Sequence, residues 1–368
     1  MFDRAQPGTM TTVHLVYPHG SSISCPDAIG RNVFERLRPH YEVIQYDWDE
    51  SRGIRPGPDD VLLGHPHPAP WTVFRRSARR PGWRRIIIMC PFNHDPRQVS
   101  FVDPLVSKSD LYLAITGNFW FESIRESLFS HWAPKMVHVD LAVDRRDFPV
   151  VKRTFNPPGD RRFLYIGHDG RPKNLGYLST LSKMMPQTPI SWIGAGRAEL
   201  AGITSLGYQD FKSDSALRLI ASHDFLLTVG TGDANPATIL EAMAWGLVPV
   251  CTPSSGYVAY PGIMNIPVDD PRAAVNVLTD LQAASEDTLR SMQAENWQVL
   301  DSHFNWDRMA RQVLEAVRST GRAATPRESL GRRARLRIAA LISPHSPLRR
   351  GNLQMLARQT GLMGRRNE

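Results

Sequence analysis

The chain has 368 residues, of which 42% are hydrophobic and 22% charged, a composition typical of a globular protein with room for two domains. No apolar run approaches the roughly 18 residues that a membrane-spanning helix needs. The N-terminus has neither a long apolar core nor a cleavage-site pattern, so we expect no signal peptide. Three widely spaced cysteines in no paired motif favour a reducing compartment and argue against a structural zinc site.

The net charge of +8 is concentrated at the C-terminal end. Residues 321–368 contain eleven arginines, no lysine and two acids, which gives this tail a charge of +9 and leaves about −1 for residues 1–320. The sequence therefore predicts a nearly neutral body with a basic tail. Such a tail suggests an acidic partner surface, either lipid or nucleic acid.

The N-terminal part of the chain alternates strands with helices. Short apolar or alternating segments predict six strands, at residues 12–17, 41–46, 61–64, 85–90, 111–116 and 137–141. Helices are predicted at residues 29–37 and 71–80. Buried strands that are separated by helices favour a parallel sheet covered on both faces.

Residues 148–161 break this alternation with three prolines and a glycine, so we predict a domain linker at 149–161. Six more strands are predicted beyond it, at residues 162–166, 190–193, 203–206, 225–229, 247–251 and 264–268. Helices are predicted at residues 174–184, 213–221, 236–245, 271–280, 286–302 and 306–319. The predicted organisation is two doubly wound α/β domains, at 1–148 and 162–320, followed by a tail at 321–368.

The stretch at residues 228–256 reads as strand, loop, helix and strand. Gly230 and Gly232 open the loop, Asn235 is a candidate helix cap, and Pro236 fits the first turn of the helix. A helix that begins just after a glycine-bearing loop directs free amide N–H groups at that loop. The stretch therefore predicts an anion-binding site.

Three segments resemble glycosyltransferase family 4, whose members have the GT-B fold. The segment DANPATILEAMAWGLVPV resembles the family's E-x7-E region; Glu241 matches the second acid, and Asp233 stands at the first, one methylene shorter. The segment FLYIGHDGRPKNLGYL resembles the family's glycine–arginine…lysine turn. Lys173 matches the lysine, His168 stands where arginine is usual, and Arg171 is close enough in sequence to substitute for it.

The third segment, MCPFNHDP, resembles the family's "HD" loop and places His94 at the position near the reacting sugar. The helix around FNWDRMARQVLEAV resembles the family's closing helix. The resemblance covers roughly residues 12–320, so the basic tail lies outside it.

The resemblance implies two tandem doubly wound Rossmann-like domains with an interdomain cleft. The N-terminal domain would be the acceptor side, and the C-terminal domain would bind the nucleotide sugar. It implies a hexosyltransferase-type enzyme that retains anomeric configuration and needs no metal. The donor would be a UDP- or GDP-sugar, with no separate cofactor, and the acceptor a glycan or a lipid-linked glycan in surface polysaccharide biosynthesis.

Sugar transfer from such a donor builds negative charge on the leaving diphosphate. Lys173, with His168 or Arg171 and the amides of residues 235–238, would hold that charge. Glu241 would accept from ribose hydroxyls, and Asp233 from sugar hydroxyls. The predicted catalytic residues are therefore Asp233, His94 and Lys173. The predicted donor-binding residues are Glu241, Asn235, Pro236, Ala237, Thr238, Arg171, His168 and Gly232.

Other interpretations of these residues stay open. The two acids also fit a loop cap and a solvated helix, His168 also fits a turn residue bonded to backbone, and His94 also fits a packed loop-end histidine. Asp47 and Asp49 form a D-x-D pair, the metal motif of another glycosyltransferase fold, but a turn is the favoured role.

Two other activities are compatible with the same fold. One is a nucleotide-sugar epimerase or phosphorylase-like enzyme, although no pyridoxal-phosphate lysine pocket is evident in the sequence. The other is a degenerate GT-B protein that binds a nucleotide sugar or scaffolds a membrane complex without turnover. The shorter acid at Asp233 and the histidine at His168 are the two departures from the family pattern that keep this second alternative open.

Two basic segments predict contact with an anionic membrane surface. In residues 71–85, Arg75, Arg76, Arg79 and Arg80 are predicted to share a helical face beside interleaved aromatics. In residues 329–342, one helical face is apolar, comprising Leu330, Ala334, Ile338 and Leu341, and the arginines lie mostly elsewhere, at Arg332, Arg333, Arg335 and Arg337. No nucleic-acid motif accompanies them. We expect a cytoplasmic protein, peripheral at the inner face of the cell membrane; a solvated face and a disordered tail are the alternatives.

Overall fold

The computed structural model describes residues 11–19, 24–196, 200–321 and 330–342. These residues contain twelve strands in two six-stranded parallel sheets. The strands are β1 Thr12–Val16, β2 Glu42–Tyr46, β3 Val61–Gly64, β4 Arg85–Pro91, β5 Leu111–Ile115, β6 Met136–Val139, β7 Phe163–Ile166, β8 Ile190–Ile193, β9 Ile203–Ser205, β10 Phe225–Thr228, β11 Val248–Cys251 and β12 Met264–Asn265. The prediction of two doubly wound α/β domains is confirmed, and each of the twelve predicted strands is present.

The described residues also form twelve α-helices. They are α1 Cys25–Leu37, α2 Val73–Ser77, α3 Pro96–Val99, α4 Asp103–Val106, α5 Asn118–Glu122, α6 Leu175–Met184, α7 Asp214–Ala221, α8 Ala237–Trp245, α9 Pro271–Ala283, α10 Glu286–Ser302, α11 Trp306–Arg318 and α12 Leu330–Ile342. None of the helices in this part of the chain is both long and apolar enough to cross a membrane.

The chain divides into two compact units. The first unit takes in the described parts of residues 1–115, 123–139 and 310–368, and the second unit takes in residues 116–122 and 140–309. The segment at 149–161, predicted as a linker, belongs to the second unit. The predicted domain bounds remain a prediction.

The sheet of the first unit has the strand order β2-β1-β3-β4-β5-β6. Its central strands β3 and β4 are buried except at Pro91, the last residue of β4, which is why they appear in the sequence as nearly continuous apolar runs. β1 pairs with β2 on one side and with β3 on the other, so the strand order reverses at β1.

Helix α2 corrects the prediction of an arginine-lined helical face. It ends at Ser77, so Arg79 and Arg80 lie beyond it. Arg75 is only 9% exposed and donates to the carbonyl oxygens of His67, at 2.8 Å, and Phe101, at 2.6 Å. Burial lowers the pKa of this guanidinium to about 10. Arg75 is therefore a buried cross-link between loops and is not a membrane-facing residue.

The sheet of the second unit has the strand order β12-β11-β10-β7-β8-β9. The chain adds β8 and β9 on one side of β7 and then crosses over to place β10 on the other side. Phe163 and Phe225 stack across this central pair of strands, with ring centroids 4.7 Å apart. The point where the strand order reverses therefore lies between β7 and β10.

A buried ion pair anchors the residues before β7 to the sheet of the second unit. Lys152 Nζ lies 2.7 Å from Asp224 Oδ1, and the two side chains are 2% and 0% exposed. The same carboxylate accepts from the backbone N–H groups of Asn156, at 2.8 Å, and Arg162, at 2.9 Å. Burial lowers the pKa of the Lys152 ammonium, and the Asp224 carboxylate opposes that shift. Asp224 thus satisfies a buried cation and two backbone donors at once.

Replacing Asp224 by alanine will remove the counter-ion of the buried Lys152 ammonium and the acceptor of both backbone donors. We expect Asp224→Ala to lower the free energy of unfolding by about 3–5 kcal/mol, measured by chemical denaturation. Asp280→Ala, at an exposed position of α9, is the matched control and should change it by less than about 0.5 kcal/mol. Equal stability of the two variants contradicts the prediction.

Candidate functional site

Two loops leave the carboxyl ends of β7 and β10, at the point where the strand order reverses. In doubly wound sheets this edge is where ligands bind, because the loops of neighbouring strands diverge there and leave a crevice. Residues 167–174 follow β7, and residues 229–236 follow β10 and lead into α8. The candidate site is built from these two loops and the first turns of α8.

The loop after β7 turns sharply. Gly167 has φ +152°, and a Cβ there would lie 2.6 Å from the hydroxyl of Tyr165. A short 3-10 helix, Arg171–Lys173, follows, and Asn174 adopts the left-handed conformation with φ 56° before α6 begins. This compact turn holds Arg171 and Lys173 just beyond the end of β7.

The loop after β10 is hydrogen-bonded to the turn after β7 and to the segment that follows β11. The backbone N–H of Thr231 donates to the carbonyl of Pro172 at 2.9 Å. The hydroxyl of Ser254, just after β11, donates to the carbonyl of Gly230 at 2.6 Å, and the N–H of Asp233 donates to the carbonyl of Ser254 at 3.2 Å. Backbone bonds thus fix the position of Asp233.

Lys173 and Asp233 form an ion pair between their Nζ and Oδ2 atoms. The two side chains are 21% and 23% exposed, so solvent reaches the pair. The sequence assigned these residues separate roles, one toward a diphosphate and one toward a sugar. The structure brings them together, so an anion that attracts Lys173 would compete directly with Asp233.

Helix α8 begins without a side-chain cap, which corrects the predicted capping by Asn235. The cap position is Pro236, which carries no capping hydrogen bond. The side-chain oxygen of Asn235 instead accepts from the hydroxyl of Tyr257 at 2.7 Å, and its buried Nδ2 has no partner among the described residues. The N–H groups at the start of α8, those of Ala237 and Thr238, are therefore not used by a cap and remain suited to an anion.

Glu241 lies one turn further along α8. Burial raises the pKa of this carboxyl from 4.5 to about 7. Among the described residues its side chain has no hydrogen-bond or ion-pair partner. A largely enclosed acid with nothing to bond is costly in its charged form, and hydroxyl donors of a ligand would relieve that cost.

His168 and Arg171 are both exposed. Nδ1 of His168 accepts from the backbone N–H of Gly170 at 2.9 Å, as in the turn-residue interpretation. This bond places the proton of the neutral ring on Nε2, which is then a hydrogen-bond donor. Arg171 makes no side-chain hydrogen bond within the described part of the chain. The turn after β7 thus presents three cationic or donor groups, of which Lys173 is paired.

A segment that was not predicted to belong to the site supports the loop from another side. Residues 116–122 belong to the second unit. The N–H of Gly117 donates to the carbonyl of Ala234 at 2.8 Å, and Nε1 of Trp120 donates to the carbonyl of Asp233 at 2.8 Å. The side chain of Asn118 both donates to and accepts from the backbone of Val258. These residues carry no motif, and only their position after a strand could have marked them.

His94 lies in the first unit, just after β4. Its ring meets that of Phe92 edge to face, with centroids 5.5 Å apart, and Asp95 caps the short helix α3 by accepting from the N–H of Arg97 at 3.0 Å. The catalytic role predicted for His94 stays a prediction. At the D-x-D pair, burial and the neighbouring Asp49 raise the pKa of Asp47. Within the described ranges, no group of three or more His, Cys, Asp or Glu side chains could hold a metal ion.

Comparisons by sequence match neither a family model nor a curated protein. Solved structures do match. A sucrose-phosphate synthase from Thermosynechococcus elongatus is similar, with a TM-score of 0.62 and 12% identity over 84% of this chain and 98% of that one.

The catalytic domain of starch synthase IV from Arabidopsis thaliana gives a TM-score of 0.60 and 9% identity, again over 84% of this chain and 98% of that one. A glycosyltransferase from Rickettsia africae gives a TM-score of 0.55 and 12% identity, also over 84% of this chain and 98% of that one. At these identities the likeness shows the fold, which is the predicted GT-B fold.

Because its pKa is raised in the folded state, Glu241 should make the free energy of unfolding fall as the pH rises from about 4.5 to 7. Below pH 4.5 the carboxyl is protonated in both states; between about 4.5 and 7 the unfolded chain loses the proton and the folded chain keeps it. Relative to Glu241→Gln, the wild type should therefore lose ~1–3 kcal/mol of unfolding free energy between about pH 4 and pH 8. Denaturation across this range measures it. Glu295→Gln, on α10, is the control variant.

Gly117 should tolerate no side chain. A Cβ there would lie 1.9 Å from the carbonyl oxygen of Gly256, and backbone cannot rotate away as a side chain can. We expect Gly117→Ala to lower the free energy of unfolding by about 1–3 kcal/mol. Gly176→Ala, in α6, is the control: a Cβ there meets nothing within 4 Å, so this change should be neutral or stabilising. A stable Gly117→Ala protein contradicts the described packing.

Proposed function

We propose that this protein is a retaining, metal-independent glycosyltransferase that moves a hexosyl group from a nucleotide diphosphate sugar to a glycan or lipid-linked acceptor. The observation that carries the proposal is the Lys173–Asp233 pair beside the uncapped start of α8. A cation, an acid and free amides at a strand-order reversal are the groups that such a donor needs. The shared fold supports the reaction class, because similar structures include a sucrose-phosphate synthase and a starch synthase solved with ADP and acarbose.

The diphosphate would bind at the start of α8. The amides of Ala237 and Thr238 supply fixed dipoles, and Lys173 supplies a full charge. Arg171 and the Nε2–H of His168 lie on the same turn as Lys173 and would add donors to the terminal phosphate. Because this charge grows as the glycosidic bond breaks, these groups stabilise the transition state more than the bound donor.

Glu241 would accept hydrogen bonds from the ribose. With a pKa of about 7, the carboxylate is costly when unbonded, and two ribose hydroxyls would satisfy it. Ionisation should therefore assist donor binding, and affinity for a nucleoside diphosphate should rise as pH increases through 7.

Asp233 would be released when the diphosphate draws Lys173 away. The freed carboxylate could then accept from hydroxyls of the donor sugar and orient its ring. Backbone bonds from Trp120 and Ser254 hold the loop while the side chain changes partners. His94 keeps the role that the family resemblance implies for it, near the reacting sugar.

Retention of configuration, independence of metal, a UDP or GDP donor and a place in surface polysaccharide biosynthesis follow from the family resemblance. So does the absence of a cofactor other than the donor. The basic C-terminal segment supports a cytoplasmic enzyme that works at an anionic membrane surface, where a lipid-linked acceptor would be found.

One observation favours a second candidate function. In the described structure Lys173 and Asp233 neutralise each other, and Asp233 is shorter than the family's glutamate. A protein in which this pair never opens would bind a nucleotide sugar without transferring it. Measuring donor turnover distinguishes the two candidates, because only the enzyme would consume the nucleotide sugar.

The test combines binding with turnover. A panel of UDP- and GDP-sugars is screened by thermal shift, since a ligand that binds only the folded state raises Tm. Donor hydrolysis is then measured in EDTA, with and without acceptor extracts. We expect Lys173→Ala to lower turnover by about 10²–10³-fold, the usual cost of removing one charge-stabilising donor.

Lys183→Ala removes an exposed lysine of α6 and is the matched control, which should keep full activity. A thermal shift without turnover in any extract indicates the binder. Turnover that EDTA abolishes overturns metal independence, and full activity of Lys173→Ala overturns the assigned diphosphate site.

A further inference from the structure

Helix α12 packs with one face and exposes the other. It contacts α3 and the 3-10 helix Ser100–Val102 in the first unit. Leu336 and Ala339 are 2% and 7% exposed and form the packed face. The helix is thus held against the body of its unit, and its opposite face is presented outward.

The outward face of α12 is apolar. Ile338, Leu341 and Ile342 are 60%, 54% and 60% exposed. Large exposed hydrophobic side chains are few in the described residues, and these three lie within five consecutive positions of one helix. With Ala334 they line one side, since residues four, seven and eight apart share a face. We call this side the apolar stripe, residues 334, 338, 341 and 342.

Arginines border the stripe on both sides. At about 100° per residue, Arg335 projects along one edge of the stripe and Arg337 along the other. Both are exposed, and α12 contains no acidic residue. An apolar stripe between cations matches the layered structure of an anionic bilayer surface, with acyl chains below and phosphates at the same level as the arginines.

A cavity beside the N-terminal half of α12 adds to this surface. It measures about 530 Å³ and is lined by Glu126, Ser127, Leu128, Gly331, Arg332 and Arg335. Arg335 therefore borders both the cavity and the stripe. The guanidinium of Arg335 can therefore bind the phosphate of a lipid headgroup at this cavity while the acyl chains lie along the stripe.

We propose that the outward face of α12 docks on an anionic lipid bilayer, with the apolar stripe inserted at the headgroup boundary and Arg335 and Arg337 bonded to lipid phosphates. Charge favours lipid over a second copy of the chain, because two such faces would bring arginines against arginines. The proposal gives the membrane contact of the proposed function a defined surface. It stands apart from sugar transfer, because vesicle binding is measured without donor or acceptor.

The test is flotation of the full chain with vesicles of phosphatidylcholine containing about one third phosphatidylglycerol, at about 0.1 M salt. Neutral phosphatidylcholine vesicles are run in parallel. We expect binding to the anionic vesicles only. Ile338→Asn with Leu341→Asn should weaken it at least about tenfold, and Arg335→Glu with Arg337→Glu should do the same.

Matched controls remove similar groups from the second unit. Met184→Asn with Tyr208→Ser removes two exposed apolar side chains, and Arg272→Glu reverses one exposed charge. Both should bind vesicles like the wild type. Circular dichroism and Tm confirm that each variant folds.

Three outcomes overturn the proposal. One is absence of wild-type binding to anionic vesicles, and another is binding that the α12 variants leave unchanged. The third is that the wild type does not float and the double variant, Ile338→Asn with Leu341→Asn, has a lower Tm or loses a dimer that the wild type shows by size-exclusion. That result would show that protein covers the stripe.

Discussion

The contact between Lys173 and Asp233 is the interaction on which the candidate site depends, because it brings together charged side chains from the two loops that the strand order places side by side. Each loop is short and cannot bury a core of its own. The loop after β10 is fixed instead by backbone bonds to Pro172, Ser254 and the segment at 116–122. Those bonds leave the two charged side chains as the parts that can change partners, and a ligand can therefore act on the pair without moving the backbone.

Much of the fold was predictable, because buried parallel strands are short apolar runs bounded by turn residues. β4, read from RIIIMC, and β10, read from FLLTV, are examples. The strand order was not predictable from these runs, because an apolar run does not show on which side of β7 a later strand will pair. It is this order that brings Lys173 and Asp233 together, although sixty residues separate them in the chain.

The candidate site remains a prediction, and only some of its residues could be named from the sequence. Residues at strand ends and at the start of α8 could be named from the sequence because loop glycines and a helix start have local signatures. Trp120 and Asn118 could not be, because their role rests on carbonyl groups more than a hundred residues away. Local signals also misled: Asn235 has the chemistry of a helix cap but bonds to Tyr257, and Arg75 has the charge of a surface residue but is buried among carbonyls.

The close approach of Gly117 to Gly256 has a consequence for how this sequence can vary. A side chain at 117 would collide with backbone, so no compensating substitution at a neighbouring position can make room for it. Gly256 is itself in the left-handed region, at φ +97°, and is equally restricted. In descendants of this chain the two glycines should persist together while the surrounding loops diverge. That pair would mark relatives whose overall sequences have drifted too far to align.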